Sequence, residues 1–86
     1  MRVSKNSEVP NIAGTLAGAM RSGDETNIDV IGHEAVYLAV KSIILAGKFV
    51  EPEGIKLSVE IGTKDVKVSD GNDRTVIVFK VSPRFV

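Results

Sequence analysis

His33 is the sole histidine, and the chain has no cysteine. The residue types that most often serve as nucleophile, general base or soft-metal ligand are therefore reduced to one imidazole. An imidazole with no identifiable nucleophile pair gives little on which to build a hydrolase. Its place directly after Gly32, at a strand-to-helix junction, suits a helix entry or a surface role, with a ligand or phosphate contact as the chemical alternative. Glu51 and Glu53 are a close pair of carboxylates. They flank Pro52 in Glu51-Pro52-Glu53-Gly54, a turn sequence with proline at its second position and glycine closing it, and no base or metal ligand lies nearby in sequence. Gly14 and Gly18 fall inside a helical pattern rather than between a strand and a helix start, so they are not a phosphate-binding loop. The expectation is a chain that is not an enzyme and holds no metal and no cofactor. The lack of cysteine also removes disulfides and cysteine-type zinc sites, and is compatible with a reducing cytoplasm.

What remains is binding chemistry. Eleven basic and eleven acidic residues cancel, so any attraction for phosphates must come from cations gathered on one face. Tyr37 and Lys41 stand one helical turn apart, where they could form a stacking and charge contact or simply wet an exposed stripe. Gly14, Gly18 and Arg21 project opposite to the apolar Ile12/Leu16/Met20 stripe. A helical glycine costs about 1 kcal/mol relative to alanine, so a smooth outer face would let something approach closely: another helix, a partner chain or a nucleic-acid backbone. Helix packing is the plainest of the three.

These residues must be positioned by short elements. Arg2 to Lys5 suits a first strand. Pro10 and Asn11 mark a helix entry, and Ile12, Leu16, Ala19 and Met20 recur on one helical stripe up to about Ser22, with Gly23 as the stop. Thr26 to Ile31 alternates as a strand and ends at Gly32. From His33 or Glu34 to about Gly47 the pattern is helical. Glu34, Tyr37, Lys41 and Lys48 share a narrow polar stripe there, and nearly everything else is apolar. One face of a small sheet cannot cover such a helix, so the first helix or another subunit must contribute. Ile55, Leu57, Val59 and Ile61 then alternate with polar residues as a strand with one buried face. The apolar parity shifts to Val66 and Val68, which predicts a bulge or bend within Gly62 to Asp65. Asp70-Gly71-Asn72 is a turn signal, and Thr75 to Val81 completes a hairpin. The predicted order is β-α-β-α-β-β.

Eighty-six residues, 43% of them hydrophobic, allow one domain, 1–86, with one modest core, since chains of this size bury only about 60 to 65% of their unfolded surface. The N-terminal residues lack the apolar core of a signal peptide, and the apolar stretch around Ala35 to Gly47 is too short to span a bilayer. The expected location is the cytoplasm, without a membrane partner.

The run Asn11-Ile12-Ala13-Gly14-Thr15-Leu16-Ala17-Gly18, the segment from Ile31-Gly32-His33-Glu34 to Lys41, the Gly47-Lys48-Phe49-Val50-Glu51-Pro52 turn and Asp73-Arg74-Thr75 resemble the bacterial stage V sporulation protein S family. A glycine after the second strand, followed by a helix bearing Ala-Val-Lys, is also similar to the Alba superfamily, whose members are typically dimers that bind DNA or RNA. The resemblance implies an α+β, Alba-like two-layer sandwich, a four-stranded sheet with two helices on one face. It further implies a non-enzymatic regulator of sporulation or development that forms a homodimer and has DNA or RNA as its partner. Carried over residue by residue, Lys5 matches a phosphate-contacting loop position, while Lys64, Lys67 and Arg74 lie on the last hairpin, with Lys41 as a further cation. Asp65, Asp70 and Asp73 sit among the hairpin cations and could neutralise them. The rival expectation is the same fold used as a protein-interaction module without nucleic-acid binding.

Overall fold

The computed structural model describes the backbone of residues 1–67 and 73–86 and the side chains of residues 1–65 and 75–86. The chain runs β1 (Arg2–Val3), α1 (Val9–Arg21), β2 (Thr26–Val30), α2 (His33–Val50), a single 3-10 turn (Glu51–Glu53), β3 (Ile55–Lys67) and β4 (Asp73–Phe85). The expected element order is the observed one. The sheet is ordered β1-β2-β4-β3, with β1 parallel to β2 and the other neighbours antiparallel. The Asp70-Gly71-Asn72 turn signal lies outside the described residues.

Side-chain parity explains the two layers. Ile28 and Val30 of β2, Phe79 and Val81 of β4 and Ile55 of β3 point to one side, where Ile12, Ala13, Leu16, Ala17 and Met20 of α1 and Ala35, Ala39, Ala46 and Val50 of α2 complete the core. The α1 stripe read from the sequence is this buried face. Alanines on α2 let that helix approach closely. The only polar residue buried with them, among the described residues, is Ser42, and its hydroxyl donates to the Leu38 carbonyl at 2.7 Å within the same helix. Every buried side-chain polar atom among the described residues is satisfied, as a low-dielectric interior demands.

β4 runs from Asp73 to Phe85, beyond the expected Thr75 to Val81 at both ends, because its whole length pairs with β3; three further boundaries differ from expectation for local reasons. β1 stops at Val3 because Ser4 and Ser7 close a turn: the Ser7 amide donates to the Ser4 carbonyl at 3.0 Å, and the Ser4 amide donates to Ser7 Oγ at 3.0 Å. α1 begins at Val9 with Pro10 in its first turn, and Asn11 donates to the Glu8 carboxylate instead of capping the helix. α2 continues through Gly47 to Val50, because Ala46 and Val50 still bury on its inner stripe. Tertiary burial outweighs the helix penalty of one glycine. Gly54, at φ 76°, then makes the left-handed step into β3.

The expected bulge at Gly62 to Asp65 is absent. β3 and β4 pair one to one from Ile55 with Phe85 to Lys67 with Asp73. The strand is therefore uninterrupted up to Lys67; the side chain of Val66 and the residue Val68, which carry the change of parity, lie outside the described residues. β2 ends opposite Ile77, and beyond that level Val76 is buried on the sheet face away from the helices.

Candidate nucleic-acid interface

The Ser4–Ser7 turn lifts Lys5 into solvent at the carboxyl ends of β1 and β2. There Lys5 lines a shallow hollow of about 270 Å³ with Ser4, Ile31, Gly32, His33 and Glu34. Gly32 adopts φ 92° and ψ 152°, a region open essentially to glycine alone. That geometry turns the chain from β2 into α2 and sets His33 and Glu34 at the hollow's rim. His33 is exposed and makes no hydrogen bond among the described contacts, so the structure gives it a surface position with no chemistry built around it. A neighbouring hollow joins Lys5 and His33 to Tyr37 and Leu38.

One helical turn on, the Lys41 ammonium lies 5.2 Å from the Tyr37 ring centroid, within cation–π range. The structure thus brings Lys5, His33, Tyr37 and Lys41 into a continuous exposed track along the start of α2. Glu34 sits beside it as the one carboxylate lining both hollows.

Lys64 is placed elsewhere. It lies on the sheet face opposite the helices, and its Nζ donates to Asp29 Oδ2 at 2.7 Å. Register puts Asp29 opposite Val78 and Lys64 opposite Val76, so the bridge crosses over β4 from one neighbouring strand to the other. Its methylene stem lies across an apolar strip while the charge meets its partner, a common use of lysine. The acids expected to neutralise the ribbon were those in the hairpin; the one engaged with Lys64 comes from β2. Thr75 donates to Asp65 at 3.2 Å. The side chains of Lys67 and Arg74 lie outside the described residues.

The glycine face is also as open as a surface can be. A methyl group added at Gly14 or Gly18 would meet nothing within 4 Å, so the expected helix packing there is not found within the chain; α1 packs through its opposite stripe. Arg21, the third member of that face, is pinned: its Nε donates to both Glu53 oxygens at 3.0 and 2.8 Å, and its Nη2 donates to the Phe49 carbonyl at 3.4 Å. This ties the end of α1 to the turn after α2 and gives Glu53 a structural job. The sequence offered no signal for either long-range ion pair, since Arg21 and Glu53, like Lys64 and Asp29, meet only through the fold.

The profile of the stage V sporulation protein S family matches residues 1–84. The chain belongs to that family. Among solved structures, Alba from Thermoplasma volcanium superposes with a TM-score of 0.63 at 13% sequence identity, over 96% of this chain and 95% of that one. At that identity the likeness is one of fold, and it establishes the Alba-like architecture that the family resemblance implied. Within this architecture, Lys5 and Lys41 lie along the start of α2, and Lys64 lies on the sheet face opposite the helices. No helix among the described residues is long and apolar enough to cross a membrane, and these residues contain no cluster of three or more potential metal ligands.

Proposed function

We propose that this member of the stage V sporulation protein S family is a non-enzymatic regulator that acts as a homodimer and binds nucleic acid with modest affinity. The observation that carries the reading is the overhang of the β3–β4 ribbon. Pairing continues for four residue pairs beyond the Thr63–Ile77 level at which β2 ends, from Lys64 opposite Val76 to Lys67 opposite Asp73, so the fold extends an arm whose sequence carries Lys64, Lys67 and Arg74 alongside Asp65 and Asp73. Lys5, at the mouth of the hollow beside α2, supplies a second phosphate contact, and Lys41 a third along the same track. Phosphate contacts of this kind position a backbone without reading its sequence.

Dimerisation is supported by the outer surface of α2, where Val40 and Ile44 are 40% and 56% exposed. The expected strength is low. If each protomer neutralises about two phosphates, the four together give a logarithmic salt slope near −3.6, roughly a hundredfold loss of affinity between 50 and 200 mM salt. Fluorescence anisotropy with labelled duplex DNA, single-stranded DNA and RNA tests this directly: binding at 50 mM that fades along that slope is expected, and no binding at 50 mM refutes it. Lys5→Ala should flatten the slope. The rival reading, a protein-interaction module of the same fold, draws on the neutralisation of Lys64 by Asp29, and a null anisotropy result would favour it.

A further inference from the structure

The sheet ends on β3, and the outer edge of that strand has no partner strand among the described residues. Long edges are usually blunted by charged side chains, by proline, by bulges or by a covering element, and here the charges between Ile55 and Ile61 are one lysine, Lys56, and one glutamate, Glu60, of opposite sign. From Ile55 to Ile61 this edge has no proline, and its register is unbroken. Val59 and Ile61 share the helix-facing side with the buried Phe79 and Val81, yet Val59 is 38% and Ile61 70% exposed. Two apolar residues on the core side of an edge strand thus lie outside the chain's own core.

We infer that β3 is a self-pairing seam, joined in antiparallel register about Ser58 to β3 of a second copy so that one sheet of eight strands crosses the dimer. The occupant rests on the homodimer reading above; the seam and its register rest on the strand itself. About Ser58, Ile55 meets the partner's Ile61 and Leu57 meets the partner's Val59 on the helix side. On the other side Lys56 meets the partner's Glu60, twice by symmetry. All pairs are complementary. Centring on Glu60 instead would set Glu60 on itself and Lys56 on Lys64, and centring on Val59 would leave Lys56 opposite a glycine with no ion pair. Like charges directly opposite are unfavourable in a sheet, whereas opposite charges and apolar pairs are favourable. Within the chain, Lys56 stands opposite Arg84, and neither forms an ion pair among the described residues. Glu60 of a second copy would provide Lys56 with the counter-charge its own sheet lacks.

The helices fit the same arrangement. α2 carries the chain from β2 to β3, and it leaves Val40 and Ile44 40% and 56% exposed, apolar surface in the helix layer that a second copy can cover.

The chain's lack of cysteine makes the test simple. Ser58→Cys places two thiols on the dimer axis, about 4.5–5.5 Å apart at Cβ, close enough to a disulfide's geometry to bridge with small adjustment. Under mild oxidation at micromolar concentration Ser58→Cys should crosslink at least tenfold faster than Thr63→Cys, which lies on the same edge beyond the paired stretch. Lys56→Glu should raise the dimer dissociation constant by about tenfold, from two weakened ion pairs, and Lys56→Glu with Glu60→Lys should restore it. A dimer by sedimentation whose Ser58→Cys form crosslinks no faster than Thr63→Cys overturns the seam and leaves the dimer standing. A strictly monomeric chain overturns both.

Discussion

Asp29→Asn is the substitution that most directly tests how the ribbon's charge is used. In the folded chain, Lys64 gives its proton donor to Asp29 at 2.7 Å, with the two side chains 50% and 28% exposed. A pair this open to solvent contributes no more than about 0.2–1 kcal/mol, and a phosphate must displace the carboxylate to use the lysine. Removing the charge at position 29 keeps the side chain's shape and frees Lys64. Nucleic-acid affinity should then rise by about two- to fivefold, which is 0.5–1 kcal/mol at 1.4 kcal/mol per decade. The salt slope should steepen by about 0.9 for each protomer that gains one phosphate contact. Lys64→Ala in the original chain should change the slope little, because that ammonium is already occupied. Anisotropy titrations of a short duplex and an RNA between 50 and 200 mM salt measure all three quantities. If Lys64→Ala alone flattens the slope by about 0.9 per protomer, or if Asp29→Asn leaves affinity unchanged, the ion pair does not hold the lysine in reserve.

Gly32→Ala should be costly, since φ 92° with ψ 152° suits no side chain. A strain of about 1–3 kcal/mol lowers Tm by about 4–8 °C per kcal/mol in a domain of this size, and calorimetry showing no loss would contradict the geometry. Gly14→Ala and Gly18→Ala should each stabilise the chain by about 0.5–1 kcal/mol, because a methyl group meets nothing there; the variants also report whether the face is used, since weakened nucleic-acid binding in a more stable protein would place the ligand on it. Glu53→Gln breaks the exposed clasp on Arg21 at a cost below about 1 kcal/mol, seen as a Tm decrease of no more than about 8 °C.

The helices and strands were legible because periodicity is a local property. Ile12, Leu16 and Met20 repeat at helical spacing and are buried, whereas Ile55 to Ile61 alternate as a strand of whose apolar face only Ile55 is buried within the chain, because the strand lies at the sheet's edge. Where tertiary packing decided, the sequence was ambiguous: Gly47 looks like a stop, yet burial of Val50 carries α2 three residues further. The parity change after Ile61 looked like a bulge, because alternation alone cannot distinguish an inserted residue from a change of apolar face along an unbroken strand. For the site, Tyr37 and Lys41 were visible as neighbours through their spacing. The Lys64–Asp29 and Arg21–Glu53 pairs join residues 35 and 32 positions apart, and no local pattern encodes them.

The interior described above has a bearing on how many sequences can hold this shape. The one buried hydroxyl among the described residues is satisfied within its own helix, so no polar network among them obliges two distant positions to change together. Apolar residues of similar volume can be exchanged at modest cost, which lets very different sequences hold one shape. A superposition spanning 96% of the chain at 13% identity is what such an undemanding interior permits.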